Sequence, residues 1–292
     1  MTERRAQAPD AVAGAAPGGL RARLAAAPLV LYLAAFLAYP ALVAVRLAFT
    51  DATGGAFPSL ASFRVLVSDE LFWRAVAGNL VVPAATVALE VVAGLALALA
   101  LAWRFPGRRL VRAAVVVPFA LPEIVFLTVA RSLLGTRGYA NGALAAAGLP
   151  AVDFLAPGTA LSYATVVAVD AWRTTPVVFL ILLGALAAIP EEIGEAARLD
   201  GARGFRRLAF VTLPLLGPAL AAAVLLRGLD ALRIFATPMV LTGAEGVPVL
   251  STYAYHQWSD YGDDGAAAAA AMALALIAVV ASIPLLRRRE AA

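Results

Sequence analysis

Apolar residues come in long unbroken blocks along this chain, separated by short segments where charge, Gly and Pro collect. Six blocks reach about 20 residues, the length at which a helix crosses a bilayer. They run from Pro28 to Phe49, about Ala75 to Ala102, Leu110 to about Leu134, about Thr159 to Ile189, about Leu208 to Leu229 and about Gly265 to Leu286. The first is longer than the apolar part of a secretory signal and lacks a convincing cleavage site, so it reads as a retained span. The expected fold is all-α: a polytopic membrane protein of about six transmembrane helices with both termini on one side. Residues 1–24, polar and rich in Gly, Ala and Pro, are expected to form a disordered cytoplasmic tail. Residues 25–292 then form one membrane domain, interrupted by a polar loop at 190–207.

Composition agrees with the pattern. Of 292 residues 62% are hydrophobic and only 14% charged, against about one-quarter charged in soluble domains. The net charge of +4 does not point to nucleic acid, because the arginines sit in short clusters between apolar blocks. One side receives Arg4, Arg5, Arg21 and Arg23, then Arg104, Arg108, Arg109 and Arg112, then Arg198, Arg203, Arg206 and Arg207, and finally Arg287 to Arg289. The opposite loops hold Arg64, Arg74 and Arg137, with Arg46 and Arg131 near helix ends. Cytoplasmic loops retain arginine, so both termini and the 190–207 loop are expected in the cytoplasm. A soluble helical bundle would not segregate its charges in this way.

The chain has no cysteine, which excludes disulfides, thiolate metal sites and cysteine nucleophiles. It has no HExxH motif, no histidine within a span and no Walker A phosphate loop, so neither catalytic residues nor a metal or cofactor are expected. Any ATP hydrolysis would belong to a partner.

The loop between the fourth and fifth spans has its own grammar. Pro190 suits a helix start, Glu191 and Glu192 favour its positive end, and Gly201 is a natural terminator. Ile193, Ala196, Ala197 and Asp200 fall on one face at helical spacing, and the paired alanines would let another protein surface approach closely. Glu195, Ala196, Ala197, Gly201, Val211, Leu213 and Pro214, with Asp200 and Ala202 between them, resemble the EAA loop of binding-protein-dependent ABC importer permeases. The resemblance also covers Leu24 to Asp51 and Leu71 to Arg109, which look like the family's first two spans. It implies the type I importer fold, and a coupling helix at Glu195 to Gly201 seated in a groove of a separate ABC ATPase, present as two copies or a dimer. It also implies a second permease subunit in a heterodimer, an extracytoplasmic solute-binding protein, and a place in the cell membrane.

Leu241-Thr242-Gly243 followed by Leu250-Ser251-Thr252-Tyr253-Ala254-Tyr255 is similar to the maltose-type carbohydrate permeases, although Ala244, Glu245 and Gly246 replace their glycine run. That resemblance implies a carbohydrate substrate. A non-sugar solute such as a polyamine is the alternative within the family, and an ion-coupled secondary transporter the alternative outside it. Secondary transporters usually carry more spans and internal repeats, and need no ATPase-docking loop.

Ionisable residues inside spans must pair, face water or bind something. Glu90, Glu123, Asp170, Arg173, Arg227, Asp230 and Arg233 are such residues. Asp170 and Arg173 are three apart and could neutralise each other, as could Asp230 and Arg233, which are expected as an internal ion pair. Asp170, Trp172 and Arg173 are expected to border the translocation path, an aromatic beside hydrogen-bonding groups suiting a sugar. His256 is expected on an external loop with Tyr253, Tyr255 and Trp258. Pro118, Pro122, Pro176, Pro214, Pro218 and Pro238 are expected to kink spans.

Overall fold

A computed structural model describes residues 20–50, 57–103 and 105–290; the tail up to residue 19 and Arg104 lie outside them. The chain divides into two units, Met1–Arg46 and Leu47–Ala292. The first contains α1 (Leu20–Leu33), which starts within the stretch expected as tail and passes through a π-turn at Ala34–Ala38 into α2 (Tyr39–Ala48), most of which it also holds. The π-turn has a local cause. Pro40 has no N–H to give and its ring presses on the carbonyl four residues back, at Phe36, so the helix widens there.

The second unit opens with α3 (Ala61–Ser68) and α4 (Glu70–Ala102). Asp69 caps α4 by accepting a hydrogen bond from Leu71 N at 2.8 Å. The third apolar block is not one continuous span. It forms α5 (Arg108–Ala120) and α6 (Glu123–Leu134), bent by 96° between Ala120 and Glu123, and α7 (Tyr139–Ala146) follows the block. Leu121 is driven out of the helical region (φ −75°, ψ 144°) by the proline that follows, and Pro122 cannot continue the hydrogen-bond ladder. The fourth block is α8 (Ala160–Ala188), capped by Thr159 through Ser162 N at 3.1 Å.

After it come α9 (Glu191–Leu199), α10 (Gly204–Arg207), a second π-turn at Leu208–Thr212 and α11 (Leu213–Ala231). Here too a proline, Pro214, stands two residues past the π-turn, opposite the carbonyl of Phe210. The chain ends its described part with α12 (Ala236–Thr242), α13 (Leu250–Ser259) and α14 (Asp264–Glu290). Among the described residues, five helical stretches are long and apolar enough to cross a membrane, or six if the bent pair counts as one. Pro83, Pro176 and Pro218 sit inside α4, α8 and α11 without ending them.

α4 and α8 pack along their lengths, and α11 lies against both. α4 and α8 approach closely at Gly94: a Cβ built there would stand 2.8 Å from Val178 Cγ1 and 3.1 Å from Phe179 N. Small residues permit such approach in membranes, where helix association depends on packing. Gly94→Leu is therefore expected to cost about 1–3 kcal/mol by overpacking, seen as a lower thermal midpoint of the detergent-purified protein. An unchanged midpoint would contradict this close approach.

Two apolar clusters stack along these helices. One gathers Val82, Phe126, Val166 and Val169, the other Ala98, Leu101, Val178, Phe179 and Leu182. The segment between them on α4 and α8 carries Glu90, Asp170, Arg173 and Thr174.

Candidate functional site: a buried ion network and an exposed capped helix

Glu90 projects from mid-α4 with no exposed surface. A buried carboxylate needs compensation, and it receives three donors. Arg227 of α11 binds it twice, Nε to Oε2 at 2.7 Å and Nη2 to Oε1 at 2.8 Å, while Thr174 Oγ1 of α8 donates at 2.5 Å. Arg227 also reaches Asp230, one helical turn on. Three helices are thus joined at one point by a forked guanidinium–carboxylate pair, the geometry that makes such pairs strong.

The network continues through α8. The single hydroxyl proton of Thr174 is shared between Glu90 and the Asp170 carbonyl, 2.7 Å away, and the Asp170 carboxylate accepts from Thr237 Oγ1 of α12 at 2.6 Å. Arg173 lies 3.8 Å from Asp170 but only 2.9 Å from Glu123, the first residue of α6 after the Pro122 break. The expected Asp170–Arg173 pair is therefore secondary: each residue finds its nearer partner on another helix. The Asp230–Arg233 pair exists at 3.5 Å, yet both side chains are more than half exposed, so it is not the internal pair expected. The chain of contacts runs from Glu123 through Arg173, Asp170, Thr174, Glu90 and Arg227 to Asp230 and Arg233.

Trp172 stands apart from the hydrogen bonds. It is mostly exposed, meets Phe126 of α6 edge-on at 5.1 Å between ring centres, and lines an apolar cleft of about 330 Å³ with Leu89, Val115, Pro118 and Pro176.

Asn79 of α4 holds the break after α11. Its Nδ2 donates to Leu232 O at 3.2 Å and its Oδ1 accepts from Leu250 N at 3.2 Å, satisfying one loose end of α11 and one of α13. His256 corrects an expectation. It lies within helix α13, nearly buried, with Nδ1 2.5 Å from Asp260 and Nε2 3.1 Å from Glu245. Tyr253, on the same helix, is fully buried and donates to Asp69 at 2.6 Å. Burial first, and the Asp69 carboxylate second, push its phenol well above the ordinary value, so it remains a donor.

The second feature is α9. Pro190 precedes it, Glu191 and Glu192 occupy its first turn and Arg198 its last, all matching the helix dipole. Its end is a Schellman stop. Ala202 N bonds Ala197 O at 2.8 Å, Gly201 N bonds Arg198 O at 3.1 Å, and Gly201 takes φ +78°. Gly194 and Ala197 face inward, with the Arg207 guanidinium against Gly194: a Cβ there would meet Nη2 at 2.6 Å. The face expected from spacing is therefore split, Ala197 turning to the protein while Ile193, Glu195, Ala196, Asp200 and Gly201 remain exposed. Leu199 (89% exposed) and Phe205 (80%) flank this surface. Sequence reasoning passes over both; a large apolar residue on either side of a glycine stop is the signal that marks them. Ala202 is half-buried, and Leu213 and Pro214 open α11 just past the π-turn.

Long apolar helices joined by a buried ion network, with a short capped helix between two of them, define a multi-spanning membrane protein. Comparison with known proteins narrows this. The profile of the binding-protein-dependent transport system inner membrane component family matches residues 90–289, and the chain belongs to that family. The trehalose/maltose transport system permease protein MalF of Thermococcus litoralis is 36% identical over 212 residues, covering 70% of this chain and 72% of that protein. The trehalose transport system permease protein SugA of Mycobacterium tuberculosis is 37% identical over 224 residues, covering 74% and 71%. Among solved structures, a bacterial ABC transporter for the acidic polysaccharide alginate has the same fold, with TM-score 0.81 at 22% identity, covering 92% of this chain and 95% of that one.

Proposed function

We propose that this chain is a permease subunit of an ATP-driven importer that carries a carbohydrate across the cytoplasmic membrane. The observation carrying the proposal is α9: a dipole-matched helix ending in a glycine stop, within the EAA pattern, with Leu199 and Phe205 open to a partner. The sugar assignment is supported by the relatives, whose names specify trehalose and maltose transport, and it is preferred to a polyamine or another non-sugar solute.

In this reading both termini and α9 face the cytoplasm, in line with the arginine distribution. Two ATPase subunits receive α9 and its counterpart on a second, different permease subunit. A solute-binding protein delivers sugar at the opposite face. ATP closes the ATPases, α9 moves with them, and Arg207 against Gly194 together with the Leu213–Pro214 start of α11 pass the motion to the spans. Asp170, Trp172 and Arg173 border the sugar's route; unchanged uptake after replacing all three would remove them from it.

Uptake of labelled trehalose and maltose in cells lacking only this chain tests the function, the expected result being loss of uptake of at least one of them. Leu199→Asp combined with Phe205→Asp is expected to abolish co-purification of the ATPase, since apolar anchors at the centre of an interface commonly contribute about 2 kcal/mol or more each. Retained co-purification would move the docking surface elsewhere.

A further inference from the structure

Glu123 is the exposed end of the ion network. Its side chain is 43% exposed, whereas its partner Arg173 is 17% exposed and lies behind it at 2.9 Å. The contact with Arg173 fixes its depth. Arg173 is near the middle of α8, so Glu123 is held at mid-membrane although it begins a new helix at the Pro122 break. In the single chain this carboxylate is open, and at this depth hydrocarbon is costly for it, so it meets water, a polar cargo or the second permease subunit. On the same α6–α8 seam, Phe126, one turn along from Glu123, meets the exposed ring of Trp172. The seam therefore offers an aromatic surface and carboxylate oxygens, with its guanidinium drawn back.

Groups of this kind sort solutes by charge. Carboxylate oxygens accept hydrogen bonds from hydroxyls, and an aromatic ring covers the apolar face of a pyranose. A carboxylated, sulfonated or phosphorylated sugar would bring its anion against Glu123, while Arg173 Nη2, which could offset that charge, already lies against Glu123 and Asp170, and Arg173 Nε, though without a partner, is buried.

We propose that Glu123 makes this permease selective for uncharged saccharides and excludes anionic ones. The proposal rests on the carbohydrate reading and adds the charge class of the substrate. It differs from what the alginate transporter, of the same fold, handles by its own description.

The test uses the assembled membrane complex without its solute-binding protein, so that only the permease discriminates. Trehalose and the acidic disaccharide glucuronosyl-glucose are titrated into wild type and Glu123→Gln, and binding is followed by tryptophan fluorescence and thermal shift. Wild type is expected to favour trehalose by about tenfold or more, a typical penalty for juxtaposed like charges. Glu123→Gln removes the charge and releases Arg173, so the preference is expected to fall to about threefold or less. Equal binding of both probes by wild type, or the same preference in the variant, overturns the proposal. Failure to bind either disaccharide overturns the carbohydrate reading as well, which separates the two.

Discussion

Arg227→Ala is expected to lower stability by about 3–5 kcal/mol, the loss typical when one member of a buried ion pair is removed. Glu90 would be left with no exposed surface and only the Thr174 hydroxyl as donor. The measurement is thermal unfolding of the purified protein, with expression level as a second readout. Replacing both partners by apolar residues of similar size, Glu90→Met with Arg227→Met, is expected to recover most of the loss, since no buried charge is then left alone. Asp230 and Thr174 would tolerate the exchange: Asp230 is more than half exposed, and Thr174 keeps its bond to the Asp170 carbonyl. If the double variant is as unstable as Arg227→Ala, the network has a role beyond mutual neutralisation.

The second large effect is expected at Gly201. Nothing lies within 4 Å of a Cβ built there, so a side chain would meet no obstacle. The cost comes from the backbone instead: φ is +78°, a region that costs an ordinary L-residue about 1–2 kcal/mol. Gly201→Val thus favours another turn and misdirects α9. A bias of that size lowers the population of the correct turn by roughly fivefold to thirtyfold. Uptake per ATP hydrolysed should fall accordingly, while ATP hydrolysis itself continues. Gly201→Asn, which tolerates positive φ better, should retain more uptake than Gly201→Val. Equal loss in both variants would point to the exposed surface at Gly201, not its conformation.

Local rules are enough to foresee much of this structure. Block length announces the spans, and Pro190, the two glutamates and Gly201 announce α9 with its terminator, because helix starts and stops are written within a few residues. The ionisable residues of the network are equally visible, since charge in an apolar block stands out. Their pairing is not. Spacing along one helix suggests Asp170 with Arg173, whereas the folded chain gives Arg173 a nearer partner in Glu123, and Glu90 finds Arg227 at a distance of 137 residues. Those choices depend on how α4, α6, α8 and α11 pack, which no local pattern contains.

The other departures have similar causes. Pro122 is expected to kink a span, but together with the extended Leu121 it turns the chain by 96° and thereby delivers Glu123 to Arg173. His256 lies in a polar stretch that reads as loop, yet Leu250 and Tyr253 bury one face of it and make it helical. On α9, Ala197 belongs to the same motif as Ala196 but faces inward, because Arg207 draws the Gly194–Ala197 side against the protein.

The proposed coupling turns on α9 meeting an ATPase in the cytoplasm, and the absence of cysteine from this chain permits a direct measurement. Leu199→Cys introduces a single thiol at a position almost fully exposed. It is expected to react with a membrane-impermeant maleimide in inside-out vesicles but not in intact cells, and to cross-link to the ATPase subunit in the assembled complex. Labelling from outside intact cells, or a thiol that is accessible in the Leu199→Cys variant yet forms no cross-link with the ATPase, would contradict that docking.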